Sequence, residues 1–159
     1  MPEQRPGKSH QEYRTPEEFL IAARRYVRTT VWAVDLAASA ENTVASRFFS
    51  EEHNSLIQDW HAAIGNGWGW LNPPFGGIAR WVEKAKFESR KGCRIAVLVP
   101  ASVGSNWWKN HVHNHCTVVF LNGRISFDGK DPFPKDCALL LYPCLDQQLP
   151  MYNVWSWMR

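Results

Sequence analysis

The sequence predicts an α/β fold: an open, mostly parallel sheet with an antiparallel hairpin at one edge. Three observations carry that reading. Apolar runs of strand length stand at 31–35, 68–71, 94–100 and 137–142. Stretches with one apolar helical face separate them at 15–27 and 78–91. Asn122-Gly123, between two β-rich runs, signals a tight hairpin. A chain of 159 residues fits one domain, expected over 14–159 behind a polar, flexible arm at 1–13. Such a length buries roughly two-thirds of the unfolded surface and needs no disulfide or metal staple.

Taken in order, TPEEFLIAARRYV offers Thr15 as N-cap, Pro16 at the first helical position and Glu18 to complete a capping box. Phe19, Ala22, Ala23, Tyr26 and Val27 form its apolar stripe. VWAVD then reads as a buried parallel strand whose carboxyl end presents Asp35, and ligands of open α/β sheets dock beyond such ends. Two short helical stretches are expected after Ser39 and Ser50, with RFF between them. WGWL is the second strand, ended by Asn72-Pro73-Pro74-Phe75-Gly76-Gly77. The helix at 78–91 puts Ile78, Trp81, Val82 and Ala85 on one face, pairs Lys84 with Glu88 at i,i+4, and stops at Gly92. RIAVLVP is the most strand-like run of all. A polar helix over 106–115 with Ser105 as its cap, the hairpin, the CALLLY strand and an aromatic tail complete the chain.

Composition removes several classes. The longest apolar runs fall far short of the roughly 18 residues of a membrane helix, and the first 15 residues lack a signal-peptide core. The four cysteines, Cys93, Cys116, Cys137 and Cys144, form no CxxC pair, so the expected setting is reducing and cytoplasmic, without a metal. The net charge of +3 hides a segregation, −4 over 31–77 against +6 over 78–135. An acidic half suits a cationic small molecule and a basic half suits a polyanion. Nine tryptophans serve core packing, base stacking or both.

The tetrapeptide at 72–75 has particular chemistry. Prolines carry no N–H, so the backbone carbonyls of this turn are not taken up by helix or ladder bonds. The Asn72 side-chain oxygen and a proline carbonyl can accept together from one exocyclic NH2. A conjugated amine is a poor nucleophile, and two acceptors on its hydrogens favour the pyramidal nitrogen as it attacks. A paired base hides that amine, which requires a flipped or single-stranded target.

From Thr15 to Tyr142 the chain resembles the phage-type DNA N-6-adenine-methyltransferase family. The resemblance rests on TPEEFL, DLAASAEN, FSEEHNSLIQDW, NPPFGGIARWVEKA, VLVPAS with Trp107-Trp108, FLNGRISF and DPFP, in that order. It implies a compact Rossmann-like class I methyltransferase fold, S-adenosylmethionine as cofactor, and double-stranded DNA with a flipped adenine as substrate, in a phage or prophage setting. It implies that Asn72, Pro73, Pro74 and Phe75 form the catalytic motif, in which Asn72 and Pro73 accept from the adenine amine and Phe75 stacks on the base. It further implies that Thr15, beside Pro16, holds the cofactor carboxylate and that Asp35 faces its ammonium. Ala37 and Ala38 would allow close approach, and Asp59 would serve the adenosine side. The chain departs from the wider fold in lacking a glycine-rich FxGxG loop. Only 36 residues separate Asp35 from Asn72, so one or two strands are expected to be missing or vestigial. No segment is long enough for a separate target-recognition domain. Cytosine N4 or a glutamine amide presents a similar NH2, and a nucleic-acid-binding accessory protein that has lost catalysis is the reading from another class.

Among other candidates, Arg124, Trp107 and Lys84 are placed for DNA contact. His111, His113 and His115 invite a metal reading, but no HExxH pattern accompanies them and a solvent-facing helix explains them better.

Overall fold

The computed structural model describes residues 14–144 and 151–158; the arm expected at 1–13 lies outside the described residues. One six-stranded sheet organises the chain. Its strands are β1 (Val34–Asp35), β2 (Trp68–Leu71), β3 (Arg94–Pro100), β4 (Thr117–Asn122), β5 (Cys137–Tyr142) and β6 (Tyr152–Ser156). They lie in the order β1-β2-β3-β5-β4-β6. All run the same way except β5, which is antiparallel to both its neighbours.

Helix α1 (Glu17–Val27) covers one face with Phe19, Leu20, Ala23 and Val27, packed with Trp32, Trp68, Trp70 and Trp157. Helices α2 (Trp60–Ile64), α3 (Ile78–Ser89) and α4 (Asn106–His111) cover the other with Trp60, Val82, Ala85 and Trp108. Alternation along β2 explains the split: Trp68 and Trp70 point to α1, while Gly69 and Leu71 point to α2 and α3. A Cβ on Gly69 would stand 2.6 Å from Ile64 Cδ1, so the glycine lets α2 settle on the strand. Six tryptophans are buried outright and Trp81, Trp107 and Trp155 are half-buried. The aromatic wealth of the chain is mostly core.

The mostly parallel α/β architecture agrees with expectation, and three elements differ. First, Gly123 does not close a hairpin. It adopts φ +117°, and Trp157 Nε1 donates to its carbonyl at 2.7 Å, so the C-terminal segment packs where the turn was expected. The stretch after it sinks Ile125, Phe127 and Phe133 into the α1-side core, and β4 takes CALLLY as its antiparallel partner. The antiparallel strand is therefore interior, and the edge is β6, parallel to β4. Secondly, no helix follows Ser39. The Asp35 carboxylate accepts from Ala37 N at 3.2 Å and Val44 N at 3.0 Å and folds 36–44 into a loop. Residues 47–49 then return beside β1: Asp35 N donates to Arg47 O, Phe49 N donates to Asp35 O, and a single bridge joins Asp35 to Phe48. Among the described residues that bridge is all that extends the sheet beyond β1, the vestige of the strand that 36 residues leave no room for. Thirdly, α4 ends at His111, before Asn114 at φ +64°.

Candidate active site

Asp35 and Asn72 end adjacent parallel strands, so the pairing of Asp35 with Trp70 sets their side chains near one another at the carboxyl end of the sheet. Thr15, Asp35, Ala37, Asn42, Val44, Trp70 and Asn72 line one cavity of about 20 Å³, room for a single water-sized group. Thr15 is not a helix cap. Pro16 takes that position without a side-chain bond, and Thr15 turns inward to accept from Asn72 Nδ2 at 3.0 Å. The bond fixes the amide with Nδ2 toward α1 and Oδ1 as its acceptor end. Burial raises the Asp35 carboxyl to about 6, although the Val44 and Ala37 amides oppose the rise.

Beyond Asn72, Pro73 is buried and Pro74 leads into a single 3-10 turn at Phe75–Gly77. The half-buried ring of Phe75 meets Phe133 at 5.3 Å and Phe127 at 5.9 Å between centroids. On the α3 side of this turn opens a cavity of about 370 Å³, whose walls include Ala37, Ala38, Ser50, Glu51, Pro74, Gly77, Arg80 and Trp81. A second cavity of about 360 Å³ continues past Ala38, Ser50 and Glu51 to Ser39, Glu41 and His53.

The structure thus gathers Thr15, Asp35, Ala37, Ala38 and Asn72 with the turn at 73–75. Asp59 is elsewhere: it caps α2, accepting from Ala62 N at 3.0 Å, a bond that holds its carboxyl below the usual value, and it lines neither cavity. Sequence reasoning missed Ser50, Glu51, Arg80 and Trp81. The acidic pair Glu51-Glu52, one residue beyond RFF, was the available signal, since it lies in the −4 segment and follows the chain that returns beside Asp35.

Of the residues read as DNA contacts, Lys84 is occupied, 3.0 Å from Glu88 and 5.1 Å over the Trp60 ring. Trp107 packs half-buried against Trp108, and Arg124 is exposed, 3.4 Å from Asp136. The three histidines diverge: His111 lies 3.5 Å from Glu83 Oε2 and beside Lys86, His113 meets the Tyr152 hydroxyl, and His115 meets Arg90. Among the described residues no group of three or more His, Cys, Asp or Glu is disposed to hold a metal. Burial pushes the Cys93 thiol to about 11 and that of Cys137 to about 12, so neither is an activated nucleophile. No helix among the described residues is long and apolar enough to cross a membrane.

An open sheet with helices on both faces, an acid at one strand end and an Asn-Pro-Pro-Phe turn at the next define an α/β protein of reduced Rossmann-like methyltransferase architecture. The family described as DNA N-6-adenine-methyltransferase (Dam) matches residues 4–137, and the chain belongs to it. It is 30% identical over 114 residues to the DNA N-6-adenine-methyltransferase of Escherichia phage T1, an alignment covering 72% of this chain and 46% of that protein. The chain therefore spans about half the length of the curated relative it matches. No solved structure matches it.

Proposed function

We propose that this chain transfers a methyl group from S-adenosylmethionine to the N6 amine of an adenine turned out of double-stranded DNA. The observation that carries the reading is the convergence of Asn72, Asp35 and Thr15 on one cavity at the carboxyl ends of β1 and β2. Membership of the family supports adenine N6 over cytosine N4 as the acceptor.

The residues fit such a cofactor. The small cavity at Asp35 matches an ammonium group in size and sign, and a cation there restores the charge that burial disfavours. The adjoining 370 Å³ lies within the range of small-molecule sites. Its small Ala37 and Ala38, its Ser50 hydroxyl and Glu51 carboxylate, and the flat Trp81 suit a nucleoside, with Glu51 rather than Asp59 on the ribose hydroxyls. When bound, the cofactor supplies a methyl group made electrophilic by its sulfonium. Asn72 Oδ1, held in orientation by the bond to Thr15, and the carbonyl of Pro73 accept from the two amine hydrogens. They would aim the nitrogen lone pair at the methyl group that the cofactor would supply, its sulfur leaving as a neutral thioether. The methylated nitrogen would then give up one proton to solvent. Phe75 stacks on the base, and no covalent enzyme intermediate is required.

Nucleoside mass spectrometry of DNA from cells expressing the protein tests this directly. N6-methyladenine is expected with the wild type and not with Asn72→Ala, while calorimetry shows both proteins binding S-adenosylmethionine. Methylated cytosine in place of adenine would overturn the substrate. Absence of both methylation and cofactor binding in the wild type would leave the accessory-protein reading.

A further inference from the structure

The segment 123–136 has neither helix nor strand, yet its fold is specified. Phe133 N donates to Ile125 O at 2.7 Å, and Asp128 accepts from Lys130 N at 2.8 Å and Asp131 N at 3.0 Å. Ala101 N, just past β3, donates to Asp136 O at 2.8 Å and ties the end of the segment to the sheet. The segment thereby buries Phe127 and Phe133, 7% and 6% exposed, against each other at 5.6 Å and 85°. Both then reach the ring of Phe75, Phe127 edge-on at 77° and Phe133 tilted at 47°. Phe75 opens one 3-10 turn whose other two residues are Gly76 and Gly77, a backbone with little stiffness of its own. Aromatic rings in such a cluster favour few mutual orientations.

We propose that Phe133 is a positioning residue for the methyl transfer: with Phe127 it fixes the plane of the Phe75 ring, and so the plane in which a target base stacks. The inference rests on the function proposed above. Phe133 touches no reacting atom and acts through Phe75. Misplacement of a bound group by about 1 Å can cost about 10²-fold in rate. Phe133→Ala is therefore expected to lower kcat about 10- to 100-fold while the calorimetric affinity for S-adenosylmethionine stays within twofold, because the segment does not line the cavity beside Asp35.

The test is a double-mutant cycle with Phe75→Ala, Phe133→Ala and the pair, run with unmethylated genomic DNA and scored by N6-methyladenine formed at saturating DNA. If Phe133 works through Phe75, the pair loses no more activity than Phe75→Ala alone, and Phe133→Tyr restores most of the loss. Additive losses, or a Phe133→Ala protein with full kcat, would overturn the proposal. Should Phe133→Ala lack a cooperative thermal transition, Phe133→Leu takes its place in the cycle with the same criteria. A wild type without methylation would sink the function itself, whereas a fully active Phe75→Ala would leave that function standing and overturn the Phe133 role, which acts only through Phe75.

Discussion

Asp35 is a carboxylate in the wrong solvent. Buried at a strand end, it keeps two backbone donors but no cation among the described ion pairs, and its carboxyl rises from 3.8 to about 6. A pKa higher in the folded than in the unfolded state means the fold binds the proton more tightly. Ionisation then costs stability as pH rises from 3.8 to about 6, and the whole cost, about 3 kcal/mol, stands above that window. Asn at this position removes the charge but offers one acceptor for two backbone donors, a loss of about 1 kcal/mol. Asp35→Asn is therefore expected to gain about 1–2 kcal/mol in urea melts at pH 8 and to gain nothing below pH 3.8. Binding of the proposed cofactor would report the opposite side of the same charge. Wild-type affinity for S-adenosylmethionine should strengthen between pH 5 and 7 as Asp35 ionises, and the variant should bind weakly with no such slope. A wild-type affinity flat across that range would remove Asp35 from the ammonium.

At the scale of elements, α3 joins the site to the scaffold. Its first turn carries Arg80 and Trp81 to the 370 Å³ cavity, and its last is anchored by Glu88, 1% exposed. That carboxylate accepts from Lys84 and Lys91, each at 3.0 Å, and from His61 N of α2 at 3.3 Å. Burial alone would raise its carboxyl, but the bonds from Lys91 and Lys84 overcome that and hold it below 4.5. Glu88→Ala should cost about 2 kcal/mol at pH 7. Because the folded pKa is depressed, the difference persists above 4.5 and shrinks as pH falls below it. A gap unchanged at pH 3 would mean packing, not charge, anchors the helix. The i,i+4 pairing of Lys84 with Glu88 was legible because both lie on one element; the contact with α2 was not, since it joins residues 27 apart. The same divide runs through the rest of the chain. The strand runs at 68–71, 94–100 and 137–142, the α3 stripe and the positions of Asn72 and Asp35 at strand ends depend on local pattern and match the fold, whereas of the run at 31–35 only Val34–Asp35 joins the sheet and Val31 is exposed. Thr15 as a cap and the hairpin at Gly123 failed against tertiary partners, Asn72 and Trp157, while Asp59 gives its carboxylate to the adjacent first turn of α2.

Across the whole molecule, charge count and charge availability are different quantities. The segment 78–135 holds ten basic side chains, and the fold employs most of those on the body of α3 and at the start of β3. Lys84 and Lys91 serve Glu88, Lys86 bonds His111, Arg90 bonds His115, and Arg94 lies 5.2 Å over Trp68. Arg80, Lys109, Lys130 and Lys135 make no side-chain bond among the described residues, and Arg124 is held only by an exposed pair with Asp136, a kind of contact worth little. Lys109 stands apart on α4, and the other four share a location. Arg80 follows the turn after β2, and the other three lie between the carboxyl end of β4 and the start of β5, which the pairing of Phe120 with Ala138 puts at the same end of the sheet. That end also carries Asn72 and Phe75. A duplex docked there meets about four available cations, so the logarithm of DNA affinity should fall with the logarithm of salt at a slope of about −4, not the steeper slope that ten would give. Alanine at Arg80 or Lys130 should each weaken binding and flatten the slope by about 1, whereas alanine at Arg94 should leave it unchanged. Fluorescence anisotropy of a labelled duplex across a salt series measures all three. Equal effects from Arg94 and Lys130 would mean that DNA lies along α3 instead, and that the ion pairs of that helix open to receive it.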